Sequence, residues 1–266
     1  MRWNRTARMT PERKSTSGGA ASGPGAARDR PPVRLPFTDR AEAGRVLAEW
    51  LVPLDLDAAV ILALPRGGVP VGYEIARRLS APDRPVPLEV LVTRKIGYPR
   101  QPELGVGAIA EGGEPVFDHD LLARLELDEG DLAVTVEAER AELERRVRVY
   151  RGGRPLPALA GRPVVVVDDG LATGGTARAA LRAVRRWRPS RLVLAVPVGA
   201  AETVRAMERE ADEVAVLAAP WSFRAVGQWY QRFEQLSDAD VVGLLERAAA
   251  EREGAAPGAA VRGREP

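Results

Sequence analysis

Val164-Val-Val-Val-Asp-Asp-Gly-Leu-Ala-Thr-Gly-Gly-Thr176 decides the fold, because it changes character twice within thirteen residues. It opens as an unbroken β-branched run, the pattern of a strand buried on both faces. It stops at two adjacent carboxylates, Asp168 and Asp169, and continues as a short loop with three Gly and two Thr. From Thr176 to Trp187 the apolar positions Ala177, Ala180, Leu181, Val184 and Trp187 fall at helical spacing. A strand, a glycine-rich turn and a helix in that order place backbone amides and a helix N-terminus around one concave anion site. Gly174 and Gly175 let the backbone come close to a ligand, and the hydroxyls of Thr173 and Thr176 add donors. Gly170, Leu171 and Ala172 complete the loop. The two acids repel a phosphate, so they face something else, and a vicinal diol offers the two donors that carboxylates accept. Phosphate on the loop and hydroxyls on the acids describe a ribose 5-phosphate.

Spacing removes two other phosphate loops. A Walker loop needs Lys before its closing Ser or Thr, and here Gly175 precedes Thr176. A dinucleotide fingerprint needs its glycines directly after the strand, and here two Asp intervene.

Outward from this unit the elements alternate. Asp39 caps a helix running to about Leu51, with Ala43, Val46, Leu47 and Trp50 on one side. Ala58–Leu64 reads as a buried strand broken by Gly67-Gly68, and a helix follows over Val71–Leu79. Leu88–Thr93 reads as a second strand and Gly105–Ala110 as a short third. Glu129–Arg151 is a long charged helix with a stripe of Leu132, Val136, Leu143, Val147 and Tyr150, and its polar side reads as a solvated face. Arg191–Val196 and Glu213–Leu217 are strands on either side of a helix at Ala201–Arg209. Such β–α–β alternation predicts an α/β fold, an open twisted parallel sheet with helices on both faces. Ligands of such sheets lie beyond the carboxyl ends of the strands. Three strand ends there carry chemistry: Arg66, Arg94-Lys95 and Asp168-Asp169.

The rest of the chain sets bounds. It has 266 residues, 45% of them hydrophobic, with no Cys, one His and a formal net charge of +2. Thiolate chemistry and Cys-ligated metals are excluded, and the single His119 leaves no basis for a Ser–His–Asp triad; His119 reads as a surface or capping residue. The small net charge predicts no strong field for nucleic acid, although basic residues gather at the amino end. No apolar run reaches the ~20 residues that span a bilayer, and no secretory h-region is present, so a cytoplasmic location is expected. Residues 1–34 read as a disordered leader, 35–248 as the folded domain and 249–266 as a disordered tail.

The sequence from Val164 to Thr176 resembles the 5-phosphoribosyl-1-pyrophosphate (PRPP) motif of type I phosphoribosyltransferases, most closely the adenine-type loop Ala-Thr-Gly-Gly-Thr. The β–α–β pattern over about 58–218 resembles the same fold. The whole chain is similar to a bacterial branch of predicted phosphoribosyltransferases in which Pro65-Arg-Gly-Gly68, Arg94-Lys-Ile-Gly97 and Ala225-Val-Gly-Gln-Trp-Tyr230 recur. The resemblance implies transfer of the phosphoribosyl group from PRPP to a nitrogen acceptor, with pyrophosphate leaving. It implies that Asp168 to Thr176 bind the ribose 5-phosphate. Arg66, Gly67, Gly68, Arg94 and Lys95 would bind pyrophosphate, next to a non-proline cis peptide. Mg²⁺ would be carried by substrate and water rather than by protein ligands.

It further implies a mobile loop over residues 97–113, to which Glu103 or Glu111 would contribute, and a hood built from the chain ends near 35–55 and 219–248. Trp221, Phe223, Trp229 and Tyr230 lie in that hood, where core packing is expected to claim them ahead of base stacking. The family's 6-oxopurine enzymes carry an acid at the position of Ala172, which argues against hypoxanthine or guanine as the acceptor. The resemblance leaves a homodimer open. It also leaves open a PRPP-sensing regulatory protein without transferase activity. A PRPP synthase-like kinase would need an ATP site and a duplicated domain.

Overall fold

In the computed structural model, residues 33–255 are described; the leader expected over residues 1–34 lies outside them except for Val33 and Arg34, as does the tail beyond 255. In chain order the elements are α1 (Arg40–Leu51), β1 (Val60–Ala63), α2 (Gly68–Leu79), β2 (Leu88–Val90), β3 (Thr93–Tyr98), β4 (Gln101–Ala110), β5 (Val116–Phe117), α3 (His119–Arg124), α4 (Ala133–Arg151), β6 (Pro163–Val167), α5 (Gly175–Arg186), β7 (Arg191–Val198), α6 (Ala201–Met207), β8 (Glu213–Ala218) and α7 (Asp238–Ala255).

Five strands form a parallel sheet in the order β2-β1-β6-β7-β8. Its strands alternate between two apolar cores because successive side chains of a strand point to opposite faces. Val164, Val166, Leu192, Leu194, Val60 and Leu62 pack with Ala177, Ala180, Leu181 and Val184 of α5 and with Val204 and Met207 of α6. Val165, Val167, Val193, Ala195, Ile61 and Ala63 pack with α1, α2, α4 and α7. The expected sheet with helices on both faces is therefore present, and the continuous valine run of β6 is explained by burial on both sides.

Four expectations need correction. First, Leu88–Thr93 is not one strand. Val90 ends the parallel sheet, Leu91 and Val92 carry the chain out of it, and Thr93 begins an antiparallel sheet of order β3-β4-β5. Leu91 is buried in one core and Val92 in the other, so an unbroken apolar run conceals a change of partner. Second, residues 97–113 are not an irregular loop. Most of the segment is the β3–β4 ladder, in which Lys95 faces Ala108 and Ile96 faces Gly107. Ala108 and Ala110 of this ladder pack on Ala179 and Ala183 of α5.

Third, the chain continues as helix α7 to Ala255 instead of fraying from 249. Its Ala, Glu and Arg residues are strong helix formers, Val241 and Leu245 are buried, and Tyr73 donates its hydroxyl to Glu251 at 2.6 Å. Fourth, α1 within 35–55 and the start of α7 within 219–248 belong to the helical layer rather than to a hood. Ala43, Gly44, Leu47, Ala48 and Leu51 of α1 are buried. Only the strips around 37–38 and 229–232 pair with each other: Phe37 donates to the Trp229 carbonyl (2.8 Å), and Gln231 donates to the Phe37 carbonyl (2.7 Å).

Smaller predictions hold. Asp39 caps α1 by accepting from the Glu42 amide. Val136, Leu143 and Tyr150 form the buried stripe of α4. His119 opens α3 with its side chain largely exposed.

Candidate active site

The carboxyl ends of β1 and β6 are adjacent, and the turns that follow them are pressed together. Leu64 donates its amide to the Val167 carbonyl at 2.8 Å. A Cβ on Gly67 would lie 1.9 Å from Asp169 Oδ2, and one on Gly68 would lie 2.4 Å from the Val167 carbonyl oxygen. Any larger residue at either position would force the two turns apart, which explains Gly-Gly in the Pro65–Gly68 loop. The Pro65–Arg66 peptide is cis, as the resemblance implied.

The turn after β6 is held from outside. Leu171 donates to the Val198 carbonyl (2.9 Å), and Ala200 donates to the Leu171 carbonyl (2.8 Å). The Thr203 hydroxyl on α6 donates to the Ala172 carbonyl at 2.6 Å. Gly174 takes a left-handed conformation (φ 75°), and a Cβ there would meet the Thr203 methyl at 2.7 Å. Tied in this way, the loop leaves its amides free. Those of Thr173 and Gly174 donate to no protein acceptor among the described residues, and those of Gly175 and Thr176 open α5, where the helix supplies no acceptor. Four amides at a helix N-terminus make an anion cradle. Ala172 and Thr173 are exposed beside it, while Gly170, Leu171 and Gly174 are buried as its supports.

The two acids differ. Asp168 accepts from the Asp169 amide at 2.8 Å; burial, reinforced by the negative charge of Asp169, pushes its carboxyl well above the usual carboxylate range. Asp169 is also raised by burial, but Arg40 opposes the rise. Arg40 Nε donates to Asp169 Oδ2 at 2.7 Å, with both side chains almost fully covered. Of the two acids expected to accept sugar hydroxyls, Asp169 has a protein cation on Oδ2, and Asp168 pairs with no cation among the described residues. Nothing in the sequence marked Arg40, because 129 residues separate it from its partner.

Of the predicted anion ligands, Arg66, Gly67 and Gly68 lie at this junction, but Arg94 and Lys95 do not follow the parallel strand. They sit within β3, where Arg94 Nε donates to Glu139 at 2.7 Å and Lys95 donates to the Glu103 carbonyl. Glu111 is likewise committed elsewhere. It pairs with Arg151, which also donates to the Val90 carbonyl at 3.0 Å. Beside Arg66, Tyr150 donates to Asp238 at 2.6 Å, and burial followed by that carboxylate pushes its phenol up to about 12.

The hood strip touches the same turn. The Tyr230 hydroxyl donates to the Asp169 carbonyl at 2.5 Å, and burial holds this phenol well above its ordinary range. A Cβ on Gly170 would lie 2.5 Å from a Val226 methyl. Tyr230 is thus a core residue with a polar attachment to the site. Trp221 instead lies exposed under Arg205, at 4.8 Å.

An amide cradle, paired acids and an arginine-bearing glycine loop thus meet at the carboxyl edge of the parallel sheet of an α/β domain. The chain belongs to the phosphoribosyl transferase family: the model described as "Phosphoribosyl transferase domain" matches residues 39–227. It is 47% identical over 212 residues, 80% of its length, to proteins from two Mycobacterium tuberculosis strains, CDC 1551 and H37Rv, that are provisionally named as phosphoribosyl transferases with no acceptor stated. The chain spans about half the length (47%) of those relatives. It is also similar to the crystal structure of TT1426 from Thermus thermophilus, at 44% identity and a TM-score of 0.67, over 79% of this chain and 98% of that one.

Proposed function

We propose that the protein transfers the 5-phosphoribosyl group from PRPP to a nitrogen acceptor with release of pyrophosphate. The observation that carries this reading is the contact of the Asp168–Thr176 turn with the Pro65–Gly68 loop through Gly67. It supports a reading in which a phosphate cradle, two hydroxyl-accepting acids and an arginine-bearing loop serve one pentose.

In this reading the amides of Thr173 to Thr176 take the 5-phosphate. Asp168 and Asp169 accept the ribose hydroxyls, and their negative charge favours the positive charge that develops on the sugar as the C1–oxygen bond breaks. Arg66, with the amide of Gly67 beside it, takes the departing pyrophosphate. The acceptor nitrogen then bonds to C1 and gives up a proton. Mg²⁺ supplies charge neutralisation of the pyrophosphate when bound. No group of three His, Asp or Glu residues capable of holding a metal occurs among the described residues, and the paired acids are the protein oxygens that would face an ion entering with the substrate. Holding the reacting groups in register is the main contribution expected of such a site.

No helix among the described residues is long and apolar enough to cross a membrane. The test is a screen of nucleobases and small amines with PRPP and Mg²⁺ that reads pyrophosphate release, paired with calorimetry of PRPP binding. Release with one acceptor class, and loss of PRPP binding in Asp168→Asn/Asp169→Asn with the fold retained, are expected. Unchanged affinity in that double variant overturns the ribose assignment. Binding without release from any acceptor selects a PRPP-sensing protein instead.

A further inference from the structure

Arg40 ends in three contacts at once. Its Nε donates to Asp169 Oδ2 at 2.7 Å, its Nη1 donates to the Glu234 carbonyl at 3.0 Å, and its guanidinium lies 3.8 Å from the centre of the Phe233 ring. The other partner of Phe233 is Tyr230, stacked at 5.2 Å, and the Tyr230 hydroxyl returns to the Asp169 carbonyl. The contacts close a ring: Asp169, Arg40, Phe233, Tyr230 and again Asp169. A cavity of about 230 Å³, lined by Arg40, Arg66, Gly67, Phe233, Glu234 and Gln235 among others, adjoins it.

We propose that Arg40 is an autoinhibitory clasp: it occupies Oδ2 of Asp169 in the ligand-free protein, and a sugar phosphate must displace it to use that oxygen. The inference rests on the sugar-phosphate reading of the site. A guanidinium bonded to a covered carboxylate outcompetes a neutral hydroxyl for the same oxygen, because hydrogen bonds between two charged groups are the stronger class. A pentose therefore finds Asp168 and only Oδ1 of Asp169 open unless Arg40 withdraws, and the affinity measured is reduced by the fraction of molecules in which it has not. Once displaced, Arg40 faces the cavity beside Arg66, so breaking the clasp leaves its charge next to an anion-binding loop instead of stranded in the core. The aromatic pair of Phe233 and Tyr230 fixes where the guanidinium sits. The pairing is thereby specified by the hood strip at residues 229–234 as well as by α1.

The test is a double-mutant cycle of Arg40→Met and Asp169→Asn, read by calorimetry with ribose 5-phosphate. Met keeps the volume over Phe233 and removes the charge. Ribose 5-phosphate is the ligand of choice because PRPP carries more negative charge, so loss of a nearby cation would weaken its attraction and mask the gain. Arg40→Met is expected to bind ribose 5-phosphate about tenfold more tightly than wild type, and the same substitution in the Asp169→Asn background is expected to give no gain. A merely structural Arg40 would move the melting temperature without this dependence on Asp169. Equal or weaker binding by Arg40→Met in the presence of Asp169 overturns the clasp while leaving the sugar-phosphate site in place. Absence of ribose 5-phosphate binding in both wild type and variant removes the clasp together with the site reading. If Arg40→Met does not fold, Arg40→Lys carries the test. Its compact ammonium cannot hold the fork between Asp169 and Glu234, so severalfold tighter binding supports the clasp and unchanged binding overturns it.

Discussion

At the scale of single residues, function and stability conflict at Asp168. Its carboxyl is raised by burial and by the neighbouring acid, so the folded state binds its proton more tightly than the unfolded chain does. Linkage then fixes the sign: the ionised group costs stability, the cost is absent at pH values below the unfolded value near 3.8, and it grows as pH rises toward the folded value and levels off above it. Asp168→Asn is therefore expected to melt above wild type at pH 7, by about 2–4 °C for roughly 1 kcal/mol in a chain of this size. The gap should close as the pH falls toward 4. A melting series from pH 4 to pH 8 checks it, and a gap that stays constant would remove the charge from the explanation. On the proposed reading the same variant should also bind PRPP poorly. Asp168 and its neighbours were legible because chemistry and spacing coincide in one short stretch. Arg40 and Tyr230 were not, because their contacts to Asp169 are made only by the folded chain.

At the scale of elements, α6 acts as a brace for a loop it does not contain. Thr203 uses its hydroxyl on the Ala172 carbonyl and its methyl against Gly174, so it fixes the curvature that turns the amides of Thr173 and Gly174 outward. Thr203→Val keeps the shape and removes one neutral hydrogen bond, worth about 0.5–1.5 kcal/mol. Calorimetry with ribose 5-phosphate is expected to show affinity falling by roughly twofold to tenfold with little change in melting temperature, while Thr203→Ser retains affinity. Affinity lost in Thr203→Ser but retained in Thr203→Val would point to the methyl contact instead. Elements that bury one periodic face, β6 and α5 above all, were readable from the sequence. The β3–β4 ladder was not. Its glycines and prolines suggest a loop, yet Gly107 is needed because a Cβ there would sit 2.8 Å from both the Phe117 ring and the Val116 carbonyl. A glycine that permits close strand approach and one that permits a turn look identical in a sequence. That Arg94 and Lys95 lie within β3 rather than at the end of β2 was hidden for the same reason, since the break after Val90 carries no local mark.

At the scale of the whole molecule, α7 joins parts of the chain that are otherwise far apart. Tyr150 of α4 donates to Asp238 at its start, and Tyr73 of α2 donates to Glu251 in its last turns. Val241 and Leu245 between them enter the core shared with α1, α2 and α4. Composition alone suggests that the chain could be cut near 248, but the structure divides that segment by what each part buries. Deletion of 249–266 removes the Tyr73–Glu251 bond and, among the described residues, mostly exposed ones, so its melting temperature should drop by only a few degrees with ribose 5-phosphate binding intact. Deletion of 238–266 also removes Val241 and Leu245. Burying two such side chains contributes about 3–6 kcal/mol, a large share of the roughly 5–15 kcal/mol that holds an ordinary domain together. It also strips the cover from Tyr150, next to Arg66. The longer deletion should be recovered as aggregate or unfolded chain, and circular dichroism with a thermal melt on both truncations separates the two outcomes. A folded, ligand-binding 1–237 fragment would mean that the sheet and its remaining helices suffice to hold the Arg66 loop against Asp169 without the carboxyl-terminal helix.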